Sequence, residues 1–357
     1  MIANIERYIS FEVLRPLFVV LLILTALFAC FSSARYLAEA VTETLGVYYM
    51  LELIFLKTFI SLEVLAPVAL YAAVVIGLGR LHRDQEILAM QAAGMGRRHI
   101  IRSILLVSIP VAILVGLLSV LGRPWAYQRS YQLDARANAD LNTDRFQAGR
   151  FYGNEDSARV VYIGSKDAKT GEMGKIFHYV RRDGNSEITI AGQGNQTENA
   201  PPVPLELNLF DGYLYRLKHA DAVDEVVRYV KLVKIPGDPE EAIGYKRKAA
   251  TINALGQSKA PPDIAELQWR LSRPLATILL ALIAIPLSRN SPRQGKNESV
   301  FIAALVFAVY YNLSGVARSW VEQGVVGEFP GIWWLHGLML LGVISTLWPR
   351  RSNRLRR

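Results

Sequence analysis

Six blocks of the chain are apolar and free of charge: 16–34, 64–79, 103–122, 274–288, 299–317 and 331–349. A helix needs ~20 apolar residues to cross a hydrocarbon core of ~30 Å, so each block predicts a membrane-spanning helix. The second and fourth blocks are short. Each extends at its N-terminal side through isolated charges, Lys57 and Glu63 before the second, Glu266, Arg270 and Arg273 before the fourth. Charges near a span end can snorkel or face protein, so these extensions are allowed. Between the third and fourth blocks the period changes. Residues 123–150 read as a helical stalk continuing the third span. Beyond it ARVVYIG, GKIFHYVRR, SEITIAG, DGYLYRL and DEVVRYVKLVKI are short, mostly alternating and rich in Val, Ile and Tyr, which is a strand pattern. Asp183-Gly184 and Asp211-Gly212 read as hairpin turns. A strand spacing of about ten residues predicts an antiparallel sandwich or jelly roll. Pro201, Pro202 and Pro204 interrupt the middle, and the stretch holding Pro236, Pro239, Pro261 and Pro262 returns the chain to the membrane.

The expected fold class is therefore an α-helical polytopic membrane protein, six transmembrane helices arranged 3+3, with an inserted all-β, jelly-roll-like domain. Its parts are 1–122 with the first three spans, 123–263 with stalk, β domain and return linker, and 264–357 with the last three spans and a basic tail. Acids precede the first apolar block and no small-residue cleavage site follows it, so it reads as a retained span and not a signal peptide.

Charge orients these spans. The chain has 357 residues, 52% of them apolar, and a net charge of +9. Short loops with excess Lys and Arg stay in the cytoplasm. The N-terminus, loops 80–102 and 289–298 and the tail together hold fifteen basic residues against five acids, Glu6, Glu12, Asp84, Glu86 and Glu298. The opposite short loops hold Glu39, Glu43, Glu322 and Glu328 against Arg35 and Arg318. Both termini are expected in the cytoplasm and the insertion, with twenty basic and nineteen acidic residues, outside it. The high pI of 9.6 is thus a topology signal. A nucleic-acid footprint would be a basic face on a soluble domain, and no nucleic-acid partner is expected.

Several chemistries are missing. Cys30 is the single cysteine and lies in the first span, so no internal disulfide forms. The five histidines have no metal-ligand spacing. No GxxxxGK[ST] occurs: Gly174-Lys175 is followed by Ile176 and Gly295-Lys296 by Asn297. GxSxG and HExxH are absent too. The chain reads as a non-enzyme that binds no cofactor.

Three segments are informative. Loop 79–100, GRLHRDQEILAMQAAGMGRRHI, has good helix formers over 84–93 and reads as a short helix over about 82–94. Ile87, Met90 and Gly94, or Leu88 and Ala92, share faces at helical spacing. Gly94 and Gly96 end it, and Asp84 and Glu86 suit the positive end of its dipole. It is either an interfacial helix with a solvated acidic turn or a docking element for a cytoplasmic partner, with Glu86 meeting a basic residue there. Arg35 lies at the outer end of the first span, where an arginine can simply anchor a helix end. In ELQWRLSRP, Glu266 and Arg270 are four apart and can pair on one helix face, and Trp269 suits a membrane interface. With Glu63 and Arg273 these are either span-end structural charges or gating charges. An unpaired acid in lipid is costly, so Glu63 should face protein or water. The β domain is either a rigid spacer or a surface that passes something on.

The order of spans and the motifs EILAMQAAG (86–94), ELQWRLSRPLA (266–276) and IPLSRNSPRQGK (285–296) resemble the lipopolysaccharide export permeases of the LptF/LptG family over essentially the whole chain. NSPRQGK and the N-terminal ERYISFEVLRP are more similar to the LptF branch. The resemblance implies a permease subunit of an ABC transporter in the bacterial inner membrane. Its partners would be an LptG-type permease in a heterodimer, an LptB-type ATPase dimer that uses ATP and Mg, and LptC- and LptA-type proteins of a periplasmic β bridge. Lipopolysaccharide would be the cargo, extracted from the inner membrane and passed towards the outer membrane. ATPase closure would narrow the cavity between the two permeases. It also implies that the 84–94 helix, with Asp84, Glu86, Leu88 and Met90, couples to the ATPase, and that Arg35 pairs with phosphate on the lipid A head group, which suits a guanidinium fork. Lipid chains need apolar walls, to which Phe18, Leu22, Phe28, Phe301, Phe307, Tyr310 and Tyr311 could contribute, or these could face bulk lipid. The competing reading is a mechanotransmitting membrane subunit, or a scaffold, that does not itself carry lipid.

Overall fold

The long apolar blocks do become helices, and their charged extensions are part of them. The computed structural model describes residues 2–42, 47–139, 148–154, 159–167, 170–182, 185–197, 206–217, 224–234, 245–289 and 298–347. The chain divides into two units. One holds Met1–Phe31, Phe55–Gln128 and Tyr245–Arg357, the other Ser32–Ile54 and Arg129–Gly244.

The helices are α1 (Ile2–Thr42), α2 (Val47–Arg83), α3 (Glu86–Ala92), α4 (Arg97–Leu117), α5 (Arg123–Ala139), α6 (Ile252–Gln257), α7 (Pro261–Leu287), α8 (Glu298–Glu322) and α9 (Trp333–Leu347). A π turn at Leu118–Gly122 joins α4 to α5 without a break. Among the described residues five stretches are long and apolar enough to cross a membrane: Asn4–Tyr36, Tyr48–Arg83, Arg97–Asp134, Pro261–Leu287 and Phe301–Glu322. The sixth block forms α9, an apolar helix described over 15 residues, Trp333–Leu347.

Within the first unit α7 lies at the centre, packed on α4, α8 and α9. Small residues let backbones approach, and Ala276, Ala281 and Ala284 of α7 and Ala69 and Ala73 of α2 are all in the buried core with Ile9, Val13, Leu78, Ile104 and Leu280. Gly77 marks the α1–α2 crossing: a Cβ there would stand 2.8 Å from the Glu12 carbonyl oxygen.

The second unit carries one six-stranded antiparallel sheet: β1 (Phe151–Asn154), β2 (Arg159–Lys166), β3 (Met173–Arg182), β4 (Asn185–Thr197), β5 (Glu206–Leu217) and β6 (Glu225–Lys234), paired in chain order. The inserted antiparallel β region is as expected. Its connectivity is simpler than a sandwich or jelly roll, because each described strand pairs with its sequence neighbour and none crosses over.

Asp211-Gly212 is not a turn. Both residues lie inside β5, and the reason they look like a turn is a crease across the sheet. In four successive ladders the pairing is continuous except at one level: 164 opposite 175, 175 opposite 192, 192 opposite 211, and 211 opposite 230. Lys175 (φ 54°) and Asp211 (φ 48°) are left-handed there, and Gly164, Gly192 and Val230 fill the other positions. A single irregular residue shifts the side-chain alternation by one and would flip every later side chain to the other face. Here it occurs in strand after strand at the same level. Buried positions therefore stand three apart across the crease (Met173 and Ile176, Ala191 and Gly194, Leu209 and Gly212) and one apolar face persists. Val161, Ile163, Met173, Ile176, Ala191, Leu207 and Leu209 form its core. Tyr229 packs on it and donates to the Ile190 carbonyl at 2.9 Å. Burial pushes its phenol up to about 12.

The crease makes a prediction. A Cβ at Gly212 would run into the Ile190 carbonyl and the Tyr229 hydroxyl, so Gly212→Val should destabilise the sheet by about 1–3 kcal/mol. Asp211→Gly should cost nothing, since a left-handed non-glycine residue is held there at ~1–2 kcal/mol. Hydrogen exchange of the paired amides of β4, β5 and β6 reads both; equal protection in Gly212→Val and the native chain would refute the crease. Asp183-Gly184, Pro201, Pro202, Pro204, Pro236, Pro239, the segment NSPRQGK and the basic tail fall outside the described residues.

Candidate functional site

Charges that the sequence scatters over two hundred positions meet at one level of the first unit. Glu63 comes from α2, Arg123 from the start of α5, Glu266, Arg270 and Arg273 from α7, and Arg318 from α8. Glu266 is the hub. Its Oε1 accepts from Arg123 Nε at 2.9 Å and from Arg270 Nε at 3.0 Å, and its Oε2 from Arg318 Nη2 at 2.8 Å. Glu63 accepts from Arg123 Nη1 at 2.8 Å and from Ser119 Oγ at 3.0 Å. Arg273 Nε approaches Glu63 at 3.8 Å, too far for a hydrogen bond, and its guanidinium lies 3.3 Å from the centre of the Trp269 ring, over which Arg318 also sits at 4.8 Å. Glu266 and Arg270 are 0% exposed and Glu63 1%. Buried ions are tolerated only when paired and hydrogen-bonded, and Arg123, Arg270 and Arg318 satisfy that by sharing Glu63 and Glu266, while the Arg273 Nε has no hydrogen-bond partner and its guanidinium rests on the Trp269 ring. Around Tyr127 the positive excess continues, with Lys57, Arg123 and Lys248 each 5.3–5.5 Å from its ring centre.

Glu63, Glu266, Arg270 and Arg273 are thus brought together, Glu63 faces protein, and the Glu266–Arg270 pair forms as the spacing predicts. Trp269 is not a surface anchor: it is buried against two guanidiniums, because the residues flanking it must be neutralised inside the bundle. Arg123 and Arg318 were read from the sequence as a stalk and a loop charge. A signal for them existed. Each is the residue directly after an apolar block, at the same membrane level as Glu63 and Glu266 in a 3+3 topology.

The second place is the other end of the helices. α2 stops at Arg83 because Gln85 turns left-handed (φ 57°), and α3 is only Glu86–Ala92, shorter than the 82–94 expected. Gly94 (φ 90°) ends it, while Gly96 starts α4 and is no part of the stop. Glu86 lies in its first turn and accepts a hydrogen bond from Tyr8 Oη at 2.7 Å. Asp84 precedes the helix and pairs with Arg80, which also binds Glu12 at 2.7 Å. Ile87 is buried and Met90 half-buried against the core, whereas Leu88 is 63% exposed. One face of α3 is fastened and the other is presented.

The remaining candidates do not form one surface. Phe307 and Tyr310 pack inwards with Tyr71, whose hydroxyl donates to the Ala303 carbonyl at 2.8 Å. Phe18, Leu22, Phe301 and Tyr311 are exposed on the helices and Phe28 is half-buried. Arg35 is on an exposed part of α1, in the segment that belongs to the second unit. Among the described residues no group of three or more His, Cys, Asp or Glu could hold a metal ion.

Long apolar helices, a charge cluster shared by four of them and an inserted antiparallel β unit define a multi-pass membrane protein with a β insertion. The family described as "Lipopolysaccharide export system permease LptF/LptG" matches residues 7–349, and the chain belongs to it. It is 22% identical over 356 residues to the lipopolysaccharide export system permease protein LptF of Escherichia coli strain K12, and equally to that of Shigella flexneri, covering 96% of this chain and 94% of each relative.

Proposed function

We propose that the chain is the LptF-type subunit of an ATP-driven lipopolysaccharide exporter in the bacterial inner membrane. Its termini and α3 face the cytoplasm and its β unit the periplasm, as the basic residues of the short loops direct. It pairs with an LptG-type permease and takes its energy from an LptB-type ATPase dimer, which binds the ATP and Mg. Lipopolysaccharide leaves the membrane between the two permeases and passes along the β units to LptC- and LptA-type bridge proteins. Asp84, Glu86, Leu88 and Met90 form the ATPase contact, Arg35 meets lipid phosphate, and Phe18, Leu22, Phe28 and Phe301 line the path of the acyl chains.

The observation that carries this reading is α3. It joins the second and third spans, is fastened by Ile87 and by Tyr8–Glu86, and holds Leu88 out to solvent. Such an element passes motion from a partner to the spans without chemistry in this chain, as a bias on a two-state packing. The test is to express the tagged chain, extract it gently and identify what stays bound. A second six-span permease, an ATPase and lipopolysaccharide are expected; the chain emerging alone and lipid-free would refute the reading. Arg35→Glu should slow lipid extraction about tenfold, the worth of one charge-assisted contact. Normal crosslinking of lipid to the first span in that variant would refute the phosphate contact.

A further inference from the structure

The inserted stretch of the second unit, Arg129–Gly244, begins after Gln128 and ends before Tyr245, and both roots of that stretch in the helical unit are held by one carboxylate. At the outgoing root, Arg123 opens α5 and binds Glu266 Oε1 at 2.9 Å. At the returning root, a single 3-10 turn, Arg247–Ala249, closes with a bond from the Ala250 amide to the Arg247 carbonyl at 3.1 Å, and the Lys248 and Ala250 carbonyls take no part in that bond. Arg270 donates to the carbonyls of Ala250 (2.7 Å), Lys248 (3.0 Å) and Arg247 (3.3 Å), and with Nε to the same Glu266 oxygen. The Arg247 side chain adds a 2.6 Å pair to Glu322 of α8.

The positive cluster does not attract Lys248 of this segment. Burial, and then Arg123 and Arg318, hold the Lys248 ammonium below its ordinary value. The backbone of the segment is kept beside a positive cluster by directed hydrogen bonds from the Arg270 guanidinium, with the Arg247–Glu322 pair beside them. Arginine has five donors in a rigid fork and can serve three carbonyls and a carboxylate together, which lysine cannot.

We propose that Arg270 and Glu266 form a transmission joint, through which a shift of α7 against α5 and α8 is delivered to both roots of the β unit at once. Arg270 is a positioning residue: it acts through the 247–250 backbone. The joint deepens the export reading and rests on it for its purpose, since it would time the β unit to the closing of the spans.

The test uses the whole ATPase-bound complex in nanodiscs, with Arg270→Lys and Arg247→Ala. Arg270→Lys should raise hydrogen exchange of the 245–257 amides about tenfold, the effect of one lost charge-assisted bond. Protection of α7 and the rate of ATP hydrolysis should stay native, and ATP-driven lipid release should fall at least as far as the exchange rises. Unchanged exchange at 245–257, or raised exchange with native lipid release, overturns the joint. If Arg270→Lys loosens the entire helical unit, Arg247→Ala decides, because its pair is only partly buried. A local rise at 245–257 with reduced lipid release supports the joint, and native behaviour overturns it. A native complex that releases no lipid would instead sink the export reading, and the exchange result alone then judges the anchoring.

Discussion

Replacing Glu266 by Gln should remove on the order of 3–5 kcal/mol of stability, the usual cost of breaking a buried ion pair from one side. The substitution keeps shape and volume, so packing is not the cause. Three guanidiniums, Arg123, Arg270 and Arg318, lose the charge that each approaches within 3.0 Å, and the new amide group turns donors towards donors. Against a total stability of ~5–15 kcal/mol this is severe, and a fall in Tm on the order of 10 °C or more is expected. Glu225→Ala is the control. Its partner Arg216 lies 3.3 Å away, but both side chains are about half exposed, 51% and 49%, and such surface pairs contribute at most ~1 kcal/mol. Thermal unfolding of the purified membrane protein compares the two. Equal shifts would mean that the Glu266 cluster is solvated and not the hub described here.

Leu88→Glu should leave the fold intact and detach the proposed ATPase partner. Leu88 stands outside the core, so its loss costs little packing. At the centre of a docking surface, an apolar anchor is worth about 2 kcal/mol, roughly thirtyfold in affinity. Glu86→Ala should act in the same direction by a different route, because it frees α3 from Tyr8 and lets the presented face wander. Both variants should show native thermal unfolding and greatly reduced ATPase recovery on the tagged chain. Full recovery with Leu88→Glu would remove α3 from the contact.

Much of this architecture is legible from pattern alone, and the failures have physical causes. Apolar blocks announce spans because lipid offers the backbone no hydrogen bonds. The charged extensions of the second and fourth blocks were legible as helix because charges near a span end have somewhere to go. Where they go was only half legible. The Glu266–Arg270 spacing is local and readable, but Arg123 and Arg318 reach Glu266 across 143 and 52 residues, and no local rule reports that. The β unit shows the opposite error. Asp211-Gly212 has turn chemistry and takes a left-handed conformation as such residues do, yet the conformation serves a crease repeated in the neighbouring strands. A single strand's sequence cannot distinguish a chain reversal from a bend shared by the whole sheet. The start of α3 was misplaced because Gln85 adopts a left-handed conformation that its residue type does not favour.

The most direct test of the account is reconstitution. The complex of this chain with the proposed LptG-type permease and LptB-type ATPase, placed in liposomes loaded with lipopolysaccharide, should release lipid to a soluble β-bridge acceptor only when ATP is present, and Leu88→Glu in this chain should abolish that release. Release that ignores ATP, or that survives Leu88→Glu, would contradict the claim that this chain converts an ATPase's motion into lipid export.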